Sequence, residues 1–234
     1  MQVAILAGGM AKRLGSLTSN RPKSLIEISG KPFLEYQLDF LRKGGITKVV
    51  LCLGHMGEQI ARHFGEGRRY GVSISYSFED SLLGTAGALR RARRLLDDSF
   101  FVMYGDSYLF PDFNQVMAFF NSHKKLALMT VYKNYDRYDR SNTVIEGNLV
   151  KLYSKTEKTD DMIYIDYGLN ILSQDCLEFI PENQLYSLEE LFTRLIEKEE
   201  LLAFEVKERF YEIGSPQGLK EFENFARNML NVFN

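Results

Sequence analysis

Short apolar runs alternate with amphipathic segments along the first 135 residues. Apolar runs bounded by turn residues predict buried strands, and apolar positions at three- and four-residue spacing predict helices. The predicted strands are Val3–Leu6, Lys48–Leu53, Val72–Ser77, Phe100–Tyr104 and Ala127–Tyr132. The predicted helices between them are Pro32–Lys43, Glu58–Phe64, Thr85–Leu96 and Asn114–Lys124. This alternation predicts right-handed crossovers and a mainly parallel sheet with helices on both faces.

The pattern changes after about residue 140. Thr143–Glu146 and Leu149–Tyr153 predict a hairpin, with Gly147-Asn148 at its turn. Further predicted elements are the strands Ile163–Leu172, Leu202–Val206 and Tyr211–Ile213 and the helices Leu188–Glu199 and Pro216–Leu230, the last capped by Ser215. The expected fold is α/β: a Rossmann-like, mainly parallel sheet flanked by helices, with a small mixed β extension. No linker-like tract divides residues 1–234, so we expect one domain.

Composition excludes several classes of partner. Lys and Arg total 29 against 31 Asp and Glu, a formal net charge of −2, which argues against a nucleic acid or an anionic membrane surface as a partner.

A run of arginines is interpreted as a solvated helix face, with Asp97 and Asp98 as candidate partners; it comprises Arg90, Arg91, Arg93 and Arg94. No stretch has the pattern of a signal peptide or of a membrane-spanning helix, so we expect a cytoplasmic protein. Cys52 and Cys176 lie in apolar surroundings and are expected to be free buried thiols.

The glycine-rich stretch at residues 5–27 carries the first chemistry. An apolar strand ends in Gly8-Gly9, where bare backbone can approach a ligand. Four cations follow, at Lys12, Arg13, Arg21 and Lys23. Backbone N–H groups and positive charge at a strand end predict phosphate binding. The loop matches neither G-x-G-x-x-G nor a loop ending in G-K-[ST].

Five motifs in order resemble those of the sugar-1-phosphate nucleotidyltransferases, the NDP-sugar pyrophosphorylases. L-A-G-G-x-x-x-R-L-x-x-L-T at residues 6–18 leads to R-P-K-S-L at residues 21–25. G-K-P at 30–32, L-G-T-A-G-A-L at 83–89, Y-G-D at 104–106 and Y-E-I-G-S-P at 211–216 follow. The resemblance spans about residues 1–220 and is nearest to the short guanylyltransferases for mannose or heptose 1-phosphate.

That resemblance implies roles residue by residue. Arg13 and Lys23 would hold a triphosphate, and with Asp106 they form the expected catalytic set. The residues expected to bind the nucleotide are Leu6, Ala7, Gly8, Gly9, Lys12, Glu79, Gly84, Thr85 and Gly87. Residues about 1–135 would then be the nucleotide-binding core, and about 136–234 the sugar-phosphate-binding portion with a closing helix.

The resemblance also implies a Mg²⁺ site. Asp106 would bind the metal beside the α-phosphate, and Glu212 stands where the family usually has a second metal-binding Asp. A carboxylate after a strand can instead cap a turn, and Glu212 can instead pair with Arg209 or a helix N-terminus. Both alternatives stay open at this point.

The acceptor site departs from the family pattern. Lys155, in the family's E-K-P slot, is expected to contact a sugar phosphate, but Ser154 replaces the glutamate. Asp166 and Gly168 resemble the family's N-x-G, with Asp in the Asn position. In the glycine loop, Ala11-Lys12 replaces the usual Gly-Thr. These departures leave the sugar and the base open.

The expected reaction joins an NTP and a sugar 1-phosphate into an NDP-sugar and pyrophosphate. A sugar phosphate, with a second pKa of about 6, is already nucleophilic at neutral pH, so no Ser-His or Cys-His pair is required. GTP with mannose or heptose 1-phosphate is the first expectation. Cytidylyl, uridylyl or thymidylyl transfer, another small phosphate acceptor, and a non-catalytic NDP-sugar-binding regulator are the alternatives. The apolar side of residues 223–233 can dock on its own domain or on a second subunit, which allows a homodimer.

Overall fold

The computed structural model describes residues 1–9 and 12–232. Its strands are β1 (Gln2–Leu6), β2 (Glu27–Ile28), β3 (Lys31–Pro32), β4 (Lys48–Leu53), β5 (Ser73–Phe78), β6 (Ser99–Tyr104), β7 (Ser107–Tyr108), β8 (Ala127–Lys133), β9 (Thr143–Glu146), β10 (Leu149–Tyr153), β11 (Tyr164–Ser173), β12 (Leu201–Val206) and β13 (Tyr211–Glu212). Its α-helices are α1 (Phe33–Lys43), α2 (Gly57–Phe64), α3 (Gly84–Ala92), α4 (Phe113–His123), α5 (Leu188–Glu197) and α6 (Pro216–Val232). Short 3₁₀ turns cover Lys12–Thr18, Lys23–Leu25, Arg68–Tyr70, Arg93–Leu95 and Gln174–Phe179.

One large sheet holds the described chain together. Its strand order is β5-β4-β1-β6-β11-β8-β12-β10-β9. The strands β5, β4, β1 and β6 run parallel, as the alternation of strands and helices predicts. The later strands make the sheet mixed, since β11 pairs antiparallel with both β6 and β8.

The expected β extension is therefore a continuation of the main sheet. The hairpin β9–β10 forms where Gly147-Asn148 predicts it, and β10 joins the sheet edge through β12. β8 is a neighbour of β11 and not of β6, because the late strand β11 inserts between them. An apolar run shows that a strand is buried, but it does not tell which strand will pair with it.

Alternating side chains of the buried strands supply two cores. Ile5 and Phe101 face a cluster with α1, α2 and α4, while Ala4 and Val102 face one with α3 and α5. Successive residues of a strand point to opposite faces, so the sheet is covered on both sides. A third cluster seats α6 through Phe222 against its own domain.

Helix ends follow local capping chemistry. The Ser215 hydroxyl accepts from the Gly218 N–H at 3.0 Å, which confirms its predicted capping role in α6. Ser187 and Glu190 form a reciprocal capping box at the start of α5. α3 ends at Ala92, four residues before the predicted Leu96, and a 3₁₀ turn follows.

Cys52 and Cys176 are free and buried, as predicted. Burial raises the pKa of the Cys52 thiol to about 12 and that of Cys176 to about 11, so both stay protonated. In the part of the chain that is described, every helix is too short or too polar to cross a bilayer.

The predicted partners of the arginine run were wrong. Arg90 and Arg93 pair with Glu178, and Arg91 pairs with Asp80. Asp97 pairs with Lys48 instead. The pairs with Glu178 join α3 and the 3₁₀ turn after it to a segment distant in sequence, which local spacing does not reveal.

Candidate active site

The ends of β1 and β6 meet at one edge of the sheet. The strands pair in parallel with Leu6 opposite Tyr104, and the Gly105 N–H donates to the Leu6 carbonyl at 2.9 Å. This register places the residues that follow the two strands, Gly8-Gly9 and Gly105-Asp106, at one edge of the sheet. Carboxyl ends of parallel strands are where α/β sheets bind ligands.

A cavity of about 220 Å³ opens at this edge, and we call it the first cavity. It gathers seven of the nine residues predicted to bind a nucleotide, together with Lys23 and Asp106. Its lining residues are Leu6, Ala7, Gly8, Gly9, Lys23, Ser24, Cys52, Glu79, Leu82, Gly84, Thr85, Ala88, Tyr104, Gly105 and Asp106. The side chain of Lys12 lies outside the described part of the structure, as does Ala11.

Gly8 lets a carboxylate lie flush against the glycine loop. A Cβ on Gly8 would stand 2.6 Å from Oε1 of Glu79 and 3.0 Å from the Gly54 nitrogen, so a larger residue would displace that side chain. The other oxygen of Glu79 accepts from the Leu83 N–H at 2.8 Å. Burial raises the pKa of Glu79 above its usual value. Gly9, by contrast, has open space where a Cβ would be.

The second glycine segment packs against the chain that precedes α5. A Cβ on Gly84 would stand 2.7 Å from the Tyr186 carbonyl, and Gly84 has a φ of +73°. The N–H groups of Ala86 and Gly87 both donate to that carbonyl. Gly87 does not line the first cavity. It packs instead against the chain before α5, where a Cβ on Gly87 would meet the Gln184 carbonyl at 2.9 Å. Glycine is therefore required at both positions by backbone packing.

Thr85 lines the first cavity and also holds α5. Its hydroxyl accepts from the Leu188 N–H at 2.7 Å. That N–H belongs to the first turn of α5 and has no partner within its own helix. The Thr85 side chain thus ties α5 to the wall of the first cavity.

A second cavity, of about 370 Å³, adjoins the first. It contains the predicted acceptor residues and the rest of the predicted catalytic and metal set. Its lining residues are Arg13, Tyr104, Asp106, Ser107, Asp139, Arg140, Asn142, Tyr153, Lys155, Ile165, Asp166, Tyr167, Gly168, Phe210 and Glu212. Tyr104 and Asp106 line both cavities, so Asp106 stands at their junction.

Three charged groups converge beside Gly214. Oε2 of Glu212, Oδ2 of Asp106 and Nη2 of Arg13 lie 2.8, 2.9 and 3.0 Å from the point that a Cβ on Gly214 would occupy. Only a residue without a side chain leaves room for them. Two carboxylate oxygens around one point are hard ligands of the kind that Mg²⁺ prefers.

Glu212 also serves the start of α6. Its carboxylate accepts from the Gly214 N–H and from the Ser215 hydroxyl. Arg209, the alternative partner, pairs with Glu221 at 2.6 Å. Among the described residues no group of three or more His, Cys, Asp or Glu side chains is arranged to hold a metal ion. A metal at Asp106 and Glu212 would therefore need further oxygens from a ligand.

Asp166 is the polar centre of the second cavity. Tyr104 and Tyr153 direct their hydroxyls at its Oδ2, at 3.2 and 3.4 Å, and the Gly168 N–H donates to its Oδ1 at 2.9 Å. Burial raises the pKa of Asp166, while the charge of Lys155 and these donors oppose the rise. The Lys155 ammonium lies 5.2 Å from the ring centre of Tyr104. A backbone irregularity between Asp166 and Asn170, with φ +93° at Gly168, turns this part of β11 toward the cavity.

Sequence reasoning missed several lining residues. Ser24 and Ala88 lie inside motifs already singled out, so their positions could have been inferred. Asp139, Arg140 and Asn142 belong to a loop with no motif, and only the fold brings it to the second cavity. Tyr153 and Phe210 have ordinary strand-like surroundings in the sequence and carry no local signal of a site.

Comparison with known proteins decides the family. The nucleotidyl transferase family model matches residues 2–228. The chain belongs to the nucleotidyl transferase family. The expectation drawn from the glycine loop and the later motifs is thereby confirmed.

Two relatives show the range of this nucleotidyl transferase's similarity. It is 31% identical to D-glycero-alpha-D-manno-heptose 1-phosphate guanylyltransferase of Aneurinibacillus thermoaerophilus, over 94% of this chain and 96% of that one. It is 32% identical to mannose-1-phosphate guanylyltransferase catalytic subunit beta of Danio rerio, over 93% of this chain. It spans 62% of the length of that second relative.

A solved structure agrees with the α/β fold of this nucleotidyl transferase. HddC from Yersinia pseudotuberculosis, solved in complex with GMP-PN, superposes with a TM-score of 0.77 at 26% identity. The match covers 94% of this chain and 96% of that chain.

Proposed function

We propose that this protein transfers the guanylyl group of GTP to a sugar 1-phosphate and releases pyrophosphate. The observation that carries the proposal is the junction of the two cavities at Asp106. One cavity has the glycine loop and a cation, and the other has a cation, a buried carboxylate and hydroxyl groups. Two substrates that must react with each other need two adjoining pockets with a shared wall.

Guanine is the base that suits the first cavity. Its Watson–Crick edge presents two neighbouring donors, N1–H and N2–H, and a carboxylate offers two acceptors. Glu79 is the one carboxylate besides Asp106 among the residues that line the first cavity. Adenine presents an acceptor at N1, which a carboxylate repels. The relatives named for guanylyl transfer support the same choice.

The second cavity suits a sugar phosphate. Lys155 and Arg13 supply positive charge for the phosphate, and Asp166 supplies an acceptor for a hydroxyl. We propose mannose or heptose 1-phosphate as the acceptors to test first, since the two relatives are named for those sugars.

The chemistry is an in-line displacement at the α-phosphorus. An oxygen of the acceptor phosphate forms a bond to that phosphorus while the bond to pyrophosphate breaks. The chief barrier is the approach of two anions, and positioned cations lower it. Lys23 and Arg13 both lie beside Asp106 and would offset the charge that gathers between the substrates.

A divalent metal fits the same junction. Asp106 and Glu212 would hold Mg²⁺, with phosphate oxygens completing its shell. When bound, Mg²⁺ withdraws charge from the phosphate oxygens and aligns them. We also propose a cytoplasmic location. We further propose that the chain forms one domain, in which a nucleotide-binding core is followed, near residue 135, by a sugar-phosphate-binding portion.

The test is pyrophosphate release from a panel of four NTPs and several sugar 1-phosphates, with and without Mg²⁺. We expect turnover to be fastest with GTP and either mannose or heptose 1-phosphate, and to require the metal. Binding of GTP without turnover of any pair would contradict the proposal. It would favour the role of a non-catalytic regulator.

A further inference from the structure

A buried glutamine of α1 spans the turn that carries Asp106. Gln37 is fully buried, and its Nε2 donates to the Tyr104 carbonyl at 3.1 Å and to the Ser107 carbonyl at 2.7 Å. These carbonyls bracket Gly105-Asp106 on both sides. A single amide group therefore holds the two ends of the turn.

The surroundings of Gln37 make a polar residue costly there. Leu34, Leu38 and Leu41 on the same helix are fully buried in the apolar core. The Oε1 of Gln37 is buried without a hydrogen-bond partner among the described residues. Burying an unpartnered carbonyl costs free energy. An apolar side chain of similar size would fill this core position without that cost. The two hydrogen bonds to the turn therefore give a reason for a glutamine at this position.

The two facing carbonyls fix the orientation of the amide. A carbonyl oxygen only accepts, so each of the two carbonyls needs a donor, and the NH₂ group of glutamine supplies both. Glutamate in the same volume offers no donor when ionised. Methionine fills the space but donates nothing.

The other supports of the turn come from main chain. The Gly105 N–H donates to the Leu6 carbonyl, and the Ile213 N–H donates to the Asp106 carbonyl, both at 2.9 Å. Among the described residues, Gln37 supplies the only two side-chain hydrogen bonds to the carbonyls of Tyr104 and Ser107, on either side of Asp106. It also links this turn to α1, which follows the segment bearing Lys23.

We infer that Gln37 is a positioning residue that sets Asp106 against Lys23 at the junction of the two cavities. The inference rests on the proposed function, in which Asp106 and Lys23 act on the same substrate. A reacting group displaced by about 1 Å can lose roughly 100-fold in rate. Loosening the turn should thus lower kcat and leave both KM values nearly unchanged.

The experiment compares Gln37→Met and Gln37→Glu with a matched control. Gln2 is also buried and also bridges two backbone groups, since it donates to the Leu95 carbonyl and accepts from the Asp97 N–H. None of these three residues lines either cavity. Gln2→Met therefore reports the cost of losing a buried bridging glutamine outside the site. Hydrogen exchange, kcat, KM and Mn²⁺ affinity in the presence of GTP are measured for all variants.

In Gln37→Met we expect faster hydrogen exchange across residues 104–108 and a kcat lower by about 100-fold. Mn²⁺ affinity with GTP should fall by about 10-fold, because one carboxylate of the site is no longer held in place. Gln2→Met should retain wild-type values of all three quantities. If Gln37→Met does not fold, the isosteric Gln37→Glu provides the same comparison.

Unchanged exchange across residues 104–108 would overturn the inference, whatever the activity. Faster exchange in Gln37→Met would also overturn it if the kcat and the Mn²⁺ affinity of that variant equalled those of Gln2→Met. A wild-type protein that turns over no substrate pair would instead contradict the proposed function. Exchange and GTP-dependent Mn²⁺ binding would still decide the role of Gln37 in that case.

Discussion

The Lys23 ammonium lies 2.5 Å from Oδ2 of Asp106, although 83 positions separate the two residues in the chain. Their side chains are 18% and 23% exposed, so the pair is partly sheltered from water. The cation proposed for a phosphate and the carboxylate proposed for a metal thus hold each other in the free protein. GTP with its metal would have to separate them.

Lys23→Met should separate the two roles of this pair. Without the ammonium, Asp106 loses its direct ion-pair partner, and Mn²⁺ affinity of the nucleotide-free protein should rise severalfold. Turnover should nevertheless fall by about 100-fold or more, since a donor to the transition state is lost. Electron paramagnetic resonance of free Mn²⁺ and pyrophosphate release measure the two effects.

The matched control is Lys31→Met. Lys31 also forms a partly buried ion pair, with Asp39, and it lies outside both cavities. Its loss should change neither quantity. If the nucleotide-free Lys23→Met and Lys31→Met proteins bound Mn²⁺ with equal affinity, the Lys23–Asp106 ion pair would not compete with metal binding.

Glu79→Gln should weaken guanine binding and stabilise the fold. The amide keeps an acceptor for the Leu83 N–H but loses one acceptor and the charge, so kcat/KM for GTP should fall roughly 10- to 100-fold. Burial raises the pKa of Glu79 in the folded protein. Its stabilising contribution is therefore present below the unfolded pKa and lost as pH rises through the folded pKa. The excess Tm of the variant over wild type should grow from pH 5 to pH 8.

Glu178→Gln gives the opposite sign and serves as the control. A hydrogen bond from Arg93 lowers the pKa of Glu178, so wild type gains stability above the unfolded pKa. This variant should be slightly less stable than wild type at pH 8 and should use GTP normally. A Tm difference for Glu79→Gln that stays flat with pH would contradict the assigned burial of its charge.

Gly214→Ala tests the convergence of charges at the junction. The new methyl group would stand within 3.0 Å of atoms from Glu212, Asp106 and Arg13, and these must move apart. We expect kcat to fall by about 100-fold with a modest loss of stability. Steady-state rates and thermal unfolding measure the two.

Gly44→Ala is the comparison for a crowded glycine elsewhere. A Cβ there would clash with the Phe113 ring, and Gly44 lines neither cavity. That variant should lose stability and keep its kcat. Equal kcat values in the two variants would mean that the groups around Gly214 do not act in turnover.

Local sequence signals predicted the parts of the site that depend on one strand end. Gly8-Gly9 and Gly105-Asp106 follow apolar runs, and parallel strands bring such ends to one edge. Glu212 was expected from the resemblance at a metal, and a helix N-terminus was the alternative. The structure places Glu212 beside Asp106 and at the start of α6, because only three residues separate the end of β13 from that helix.

Features that depend on distant pairing were not predictable from the sequence. Gly87 lies inside a motif of small residues, yet its closest neighbour is the Gln184 carbonyl, nearly a hundred positions away. The insertion of β11 between β6 and β8 likewise follows from antiparallel pairing, which the spacing of apolar residues along the chain does not predict. Gln37 falls among apolar positions of an ordinary amphipathic helix, so only the two carbonyls it faces reveal its role.

Tyr153→Phe should move the pH dependence of acceptor use. The Tyr153 hydroxyl stabilises ionised Asp166, and burial already raises the pKa of that carboxyl. Losing the hydroxyl should raise the pKa further. If ionised Asp166 accepts from a sugar hydroxyl, kcat/KM for the sugar phosphate falls as pH falls through this pKa, and the acid limb shifts to higher pH.

Tyr164→Phe separates this effect from the titration of the sugar phosphate itself. Tyr164 directs its hydroxyl at Glu205, at 3.3 Å, outside the second cavity. The acceptor phosphate itself titrates at a pH of about 6 in both variants, so only a difference between the acid limbs of their pH profiles reports Asp166. KM for GTP should be unchanged in both. Coincident acid limbs would mean that the protonation state of Asp166 does not govern binding of the acceptor.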